Sequence, residues 1–278
     1  MPATYRRALV AATVLALAAT GAVVSYAAVH RTDSVAGVAH IARVAPAAGR
    51  LPVAAGSRIA PDESPGPAPR RVPLLAPGAR ILFVGASYTA GLGANPATDG
   101  YAYLVGRYLH RPVSIDAVPG SGFVNPGPRD GGTFAERIAR LPASLDPGLV
   151  VLQGGRNDAG CSRLRLWRAA LQTVELARHR FRHARLAFLG PVPGRLPVHR
   201  SVREVEAVLQ EVARDQNVIF IDAIAQGWIT RQNVAGFAGP VPDHPNNAGY
   251  AFIARRVADD LAAALDLPGL NIGTGPSM

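Results

Sequence analysis

The chain has 278 residues, 49% of them apolar, which is enough to bury one sizeable core or two small ones. All 29 of its Lys-plus-Arg positions are Arg, set against 19 acids; the net charge of +10 is diluted along the sequence, with no arginine run interleaved with aromatics, which argues against a nucleic-acid partner. The single cysteine, Cys161, excludes an internal disulfide and any cysteine-built zinc or iron–sulfur centre, and reads as a small hydrophobe.

Residues 1–30 open with Arg6 and Arg7 and continue through residues 8–29 without a charge, long enough to cross a bilayer as a helix. The run is longer than the apolar core of an ordinary export signal, so the expectation is an uncleaved membrane anchor. The alternative is a signal cleaved near Ser25-Tyr26-Ala27. Positive charge ahead of the span puts the rest of the chain on the far side of the membrane. Residues 31–78 are rich in Pro, Ala, Gly and Arg with little periodicity, and read as an extended linker.

The folded domain is expected over residues 79–266, with a tail at 267–278. Short apolar runs at 81–84, 113–118, 149–153, 186–189 and 218–221 predict five strands. Helical spacing falls between them at 101–109, 133–141, 163–181 and 202–215, and a last helix is predicted over 246–265. Nearly continuous apolar strands alternating with helices predict a parallel sheet covered on both faces, an α/β doubly wound architecture. In such folds the active site lies beyond the carboxyl ends of the strands.

Four stretches at such positions carry residues able to do chemistry. The first strand ends in Gly85-Ala86-Ser87-Tyr88, where Ser87 is either a nucleophile projected into the crevice or a helix N-cap. The second ends in "VPGSGF", where Gly120 and Gly122 allow a backbone N–H to approach a ligand or simply form a turn. The third ends in "GGRND", and the side-chain amide of Asn157 suits an oxyanion hole, although Asn-Asp is also a common turn. Near the carboxyl end, "VPDHPNNAGY" puts His244 at the entrance to the last helix as a candidate general base, with Asp243 beside it as a candidate orienting carboxylate. Neither a phosphate loop nor a dinucleotide fingerprint fits the glycines at 85, 91 and 93. His179 and His183 stand four apart on a predicted helix, but the surrounding arginines favour a solvated basic face over a metal site. Among Phe123, Trp167, Trp228 and Phe237, Phe123 is the strongest candidate to line a pocket.

Taken together, Ser87, Gly122, Asn157 and His244 resemble the four blocks, in order, of the SGNH or GDSL-like hydrolase family of serine esterases and lipases, and the likeness spans about residues 80–265. It implies a flavodoxin-like three-layer α/β/α sandwich with a central parallel sheet of about five strands. It further implies carboxylic-ester hydrolysis without metal or cofactor: Ser87 as nucleophile, His244 as base, and an oxyanion hole of the Ser87 N–H, the Gly122 N–H and the Asn157 amide. The expected partner is a small-molecule or envelope acyl ester, and the expected state is a monomer held at the cell membrane by its first segment, or secreted if that segment is cleaved. An O-acyltransferase acting on envelope carbohydrate, or a weakened binding protein of the same fold, are the alternatives.

Two departures from the family pattern stand out. Ala86 replaces the usual Asp before the serine. Val241 occupies the place, three residues before the histidine, where the family carries its triad acid. Three arrangements stay open: Asp243 as the acid, with preference; a Ser–His dyad whose imidazole is held by a backbone carbonyl; or Asp222 from another strand end.

Overall fold

The computed structural model describes residues 75–128 and 131–267. The expected anchor at 1–30, most of the linker and the tail after 267 lie outside the described residues. No helix among those described is long and apolar enough to cross a membrane.

Five strands form one sheet: β1 (Ile81–Gly85), β2 (Val113–Ala117), β3 (Leu149–Gln153), β4 (Arg185–Leu189) and β5 (Ile219–Ile221). Their spatial order is β2-β1-β3-β4-β5 and every pair is parallel. The sequence dictates why both faces are covered. Side chains alternate across a strand, so an uninterrupted apolar run needs a core on each side. Ile81 and Phe83 of β1, with Leu149 and Val151 of β3, enter one core; Leu82, Val84, Val150 and Leu152 enter the other. The first core is closed by α1 (Tyr101–Tyr108) and α6 (Asn247–Ala264), the second by α2 (Phe134–Arg140), α3 (Arg163–Arg180) and α4 (Arg200–Asp215). The result is the expected three-layer α/β/α sandwich.

Helix starts follow their caps. Thr133 and Glu136 form a capping box at α2, and the side chains of Ser162 and Asn246 cap α3 and α6. The α4 helix begins at Arg200, two residues before the predicted start, because the His199 side chain accepts from the Ser201 N–H and serves as its cap. A short helix not expected from the sequence, α5 (Val234–Phe237), precedes the His244 loop. Leu75 is already packed in the first core, four residues before the expected domain start.

Sheet order places the site. Going from β1 the chain crosses to β2 on one side, and later returns to lay β3 on the other side of β1. The crevice beyond the carboxyl ends of β1 and β3 is therefore the topological switch point, where α/β sheets bind ligands. Beneath it Thr89 ties the loop after β1 to the end of β3 and to α1. Its hydroxyl donates to Gln153 Oε1 at 2.9 Å, so the Tyr101 hydroxyl, 3.0 Å away, must donate to it. Thr89 is 1% exposed, so replacing it with Val strands two buried polar groups. Thr89→Val is expected to cost about 1–3 kcal/mol in urea unfolding, with the slope unchanged.

Candidate active site

Ser87 follows β1 by two residues, in a series of turns; among the described residues no helix starts before Ala97. The capping explanation for the serine therefore does not hold. Its Oγ lies 2.8 Å from His244 Nε2. The other ring nitrogen, Nδ1, is 2.8 Å from the carbonyl oxygen of Pro242. A carbonyl only accepts, so Nδ1 carries the proton and Nε2 presents its lone pair to the serine hydroxyl. This is the tautomer that a general base requires.

Asp243 does not hold the imidazole. It takes the left-handed conformation, φ +60°, and its carboxylate faces two arginines, 3.6 Å from Arg156 Nη2 and 3.7 Å from Arg195 Nε. Adjacent side chains diverge through such a bend, which leaves the Nδ1 proton to the Pro242 carbonyl. The preferred expectation of an Asp243–His244 pair is thus corrected to the backbone-carbonyl arrangement. Asp222 is elsewhere: its Oδ1 caps the Ala225 N–H at 2.8 Å and its carboxylate adjoins Glu206.

Asn157 lies in a 3-10 turn, Arg156–Asp158, directly after β3. Its Nδ2 donates to the Ser121 carbonyl at 2.7 Å, which fixes the amide and leaves its second proton free. Ala86, Ser87, Tyr88, Gln153, Gly154, Arg156, Asn157 and His244 line one polar cleft of about 480 Å³, open mouth included. Among the described residues the Ser87 N–H has no hydrogen-bond partner.

Gly122 is not part of this cleft. Its N–H is used internally, donating to the Asn125 carbonyl at 2.7 Å, so the predicted oxyanion role is not met. Gly122 is required for another reason. A Cβ there would lie 2.3–2.6 Å from the Asp158 carboxyl group. That carboxyl is fully buried and accepts from the N–H groups of Phe123, Val124 and Asn125 at 2.9–3.0 Å. Burial pushes its pKa up, and the three N–H groups oppose the shift. Asp158 thus shapes the loop whose Ser121 carbonyl holds Asn157. The buried Arg137 braces the same loop, donating to the Gly85 carbonyl at 2.8 Å and to Ser121 Oγ at 3.2 Å, and pairing with Asp116.

Other expected positions resolve as packing. Phe123 is 2% exposed and stacks with Phe134 and Phe188, in the second core and not in the cleft. Trp228 is buried in the first core, and Trp167 packs against the second. Phe237 does approach the site: with Ile229, Val234, Pro245 and Ile253 it lines a narrow apolar crevice, about 260 Å³ with its open mouth included, that His244 also borders. Because α3 ends at Arg180, His183 is off the helix, and both it and His179 are exposed. Cys161 lies in a groove with Arg163, Leu166 and Ser201, apart from the cleft. Two residues that sequence reasoning passed over stand in the cleft wall, Tyr88 and Arg156. Their only signal was adjacency, since each neighbours a residue of the Ser–Asn–His set.

A family model described as GDSL-like Lipase/Acylhydrolase matches residues 83–252. No curated protein sequence matches. Among solved structures, a family two carbohydrate esterase from Clostridium thermocellum, in complex with cellohexaose, matches with a TM-score of 0.56 and 19% identity over 71% of this chain and 67% of that one. A lipase/acylhydrolase from Enterococcus faecalis matches with 0.54 and 19% over 67% and 96%. A Corynascus thermopiles carbohydrate esterase family 2 enzyme with a carbohydrate-binding domain gives 0.53 and 20% over 72% and 68%. At these identities the likeness is one of fold.

Two expectations follow. Gly122→Ala forces Asp158 out of its three hydrogen bonds and should lower the melting temperature by several degrees, whereas Asn157→Ala should leave melting nearly unchanged and lower kcat on an ester by about 10²–10³. Glu206 gives the pH dependence. Burial, then the neighbouring Asp222, raises its pKa from 4.5 to about 8. A raised folded-state pKa contributes stability fully below the unfolded value and loses it as pH climbs through the folded value. Melting temperature should therefore fall between about pH 5 and 8, and Glu206→Gln should flatten that fall, as read by melting scans in matched buffers.

Proposed function

Since the chain belongs to the GDSL-like lipase/acylhydrolase family, whose members hydrolyse ester bonds, we propose that it is a serine esterase working through a Ser87–His244 dyad on short-acyl esters. The observation that carries this reading is the 2.8 Å contact between Ser87 Oγ and an imidazole nitrogen whose partner nitrogen is committed to a carbonyl. His244 Nε2 takes the serine proton as Oγ attacks the acyl carbon. The imidazolium then returns that proton to the leaving alcohol. Water, activated by the same nitrogen, releases the acid. The Asn157 amide and the Ser87 N–H receive the oxyanion, with each such donor contributing about 2.7–4 kcal/mol to barrier lowering. The Pro242 carbonyl does for the imidazole what a carboxylate does in a triad, without the charge.

The acyl preference follows from the walls. Gln153, Arg156 and Asn157 make the cleft polar, and the apolar crevice beside His244 is tight, so an acetyl-sized group fits this site better than a fatty chain. The carbohydrate esterases among the similar folds favour a sugar O-acyl ester as the substrate class. Arg6 and Arg7 ahead of the uncharged residues 8–29 support an extracytoplasmic setting, where acylated envelope carbohydrate would be the natural ester.

The full-length protein should cleave p-nitrophenyl acetate far faster than the octanoate. A fluorophosphonate should label it at Ser87, and Ser87→Ala should abolish both signals. Folded wild-type protein that stays unlabelled overturns the serine reading. For the carbonyl arrangement the discriminating variant is Asp243→Asn. The expected fall in kcat is less than about 10-fold, against the roughly 10⁴-fold seen when a triad acid is lost.

A further inference from the structure

Three residues, each next in sequence to one of the proposed chemical groups, meet at a single oxygen atom. Tyr88 follows Ser87, Arg156 precedes Asn157 and Asp243 precedes His244. The oxygen is the Asp243 carbonyl. It accepts from the Tyr88 hydroxyl at 2.8 Å and from Arg156 Nη1 at 3.0 Å. The same Nη1 lies 3.0 Å from the Tyr88 oxygen and donates to it as well, while the guanidinium sits over the Tyr88 ring at 5.5 Å. We propose that Tyr88 and Arg156 are positioning residues that grip the Asp243 carbonyl and thereby hold the His244 imidazole in line with Ser87. The proposal rests on the Ser87–His244 reading above and adds what keeps that pair aligned.

The physical need for a grip is plain from the loop. An aspartate at φ +60° sits in a conformation that non-glycine residues adopt at a cost of order 1–3 kcal/mol, and only surrounding contacts hold it there. The turn delivers both loop carbonyls to their tasks: the Pro242 oxygen turns to Nδ1, and the Asp243 oxygen turns to Tyr88 and Arg156. If the second carbonyl is let go, the backbone can relax and the first loses its aim. A side-chain carboxylate could tolerate such drift by turning about its own torsions. A backbone carbonyl two residues from the histidine cannot, so a dyad of this kind depends more on its loop than a triad does.

The clamp itself is firm. Tyr88 is 3% exposed, packs its ring 5.4 Å from the imidazole and 6.0 Å from the Tyr250 ring, and stays a neutral donor because burial pushes its pKa up to about 12. On the other side the loop after β4 closes in at Gly194. A Cβ there would come 2.1 Å from the Asp243 oxygen and 2.9 Å from the Tyr88 hydroxyl, so a glycine is needed for the three to meet. The Arg156–Asp243 side-chain pair, at 3.6 Å and partly exposed, adds little by comparison.

An arginine in a cleft wall could instead bind an anionic group of the substrate, and kinetics separate the two roles. Removing a positioning residue lowers kcat and leaves KM near its original value; removing a substrate anchor raises KM. Tyr88→Phe keeps the buried ring and removes only the hydroxyl. Arg156→Gln removes the second donor. Each is expected to lower kcat on p-nitrophenyl acetate about 10-fold, the kinetic size of one hydrogen bond, with KM within about 2-fold. Because both act on one oxygen, the double variant should fall well short of the roughly 100-fold that independent sites would give. The rate of fluorophosphonate labelling at Ser87 should drop in parallel. All proteins are assayed below the lowest melting midpoint of the set, so that lost stability does not register as lost rate. Should Arg156→Gln fail to fold, Tyr88→Phe decides the matter alone. Unchanged kcat in the folded variants, or a raised KM with kcat intact, overturns the clamp while Ser87 labelling of the wild type leaves the dyad standing. A wild-type protein that is not labelled fails the dyad first.

Discussion

The pairing of β1 with β3 is the contact on which the site depends. It sets Gly85 opposite Gln153, so that the loops leaving these two strands run side by side across the crevice. One loop carries Ser87 and the other Asn157. Nothing local brings a serine within reach of an asparagine 70 positions later; the parallel ladder does, and it forms because both runs are apolar enough to be buried on two faces. The Thr89 hydroxyl, shared between Gln153 and Tyr101, then pins the floor of the crevice from below. A register slip of one residue would exchange the two cores and scatter the pair, which is why such a strand tolerates so little change.

In the proposed dyad the imidazole needs two things, the right tautomer and help with the charge it would acquire. The Pro242 carbonyl supplies the first completely, because it has no proton to give. It supplies the second less well than a carboxylate would. A neutral acceptor is worth about 0.5–1.5 kcal/mol where a charged one reaches about 1.5–3. The difference amounts to roughly a factor of 10 in rate, far less than the penalty paid by a serine hydrolase whose imidazole is flipped into the wrong tautomer. Val241 at the family's acid position is therefore compatible with a working dyad, at the expense of some speed.

How much of this could be read in the sequence follows from how local each signal is. Strands announce themselves through continuous apolar runs, and Ser87, Asn157 and His244 stand at strand or loop ends where the architecture puts chemistry. Gly122 misleads because its glycine is real but its cause is remote. The carboxylate of Asp158, 36 positions away, occupies the space of its missing Cβ, and the destination of its N–H cannot be inferred from neighbours. Asp243 misleads for the opposite reason. Being next to His244 in sequence suggests contact, while a left-handed backbone turns the two side chains apart. Phe123 misleads by the same adjacency: it follows Gly122, yet its ring packs in the second core. Arg156 and Tyr88 carry no signal of their own, for an arginine and a tyrosine in a loop are ordinary until their partner, a carbonyl, is known.

The clamp also explains what the Asp243 side chain is free to do once it is not an acid. Arg156 and the exposed Arg195 would otherwise leave two unopposed guanidinium groups at the rim of the cleft. A carboxylate between them offsets part of that positive charge. In the proposed reaction Asp243 thus contributes through its position in two ways, its carbonyl anchoring the loop and its carboxylate balancing the arginine that anchors it. In the proposed dyad the work of the acid that the family carries at position 241 falls to the Pro242 carbonyl, which sets the tautomer, while the Asp243 carboxylate is taken up by the two arginines.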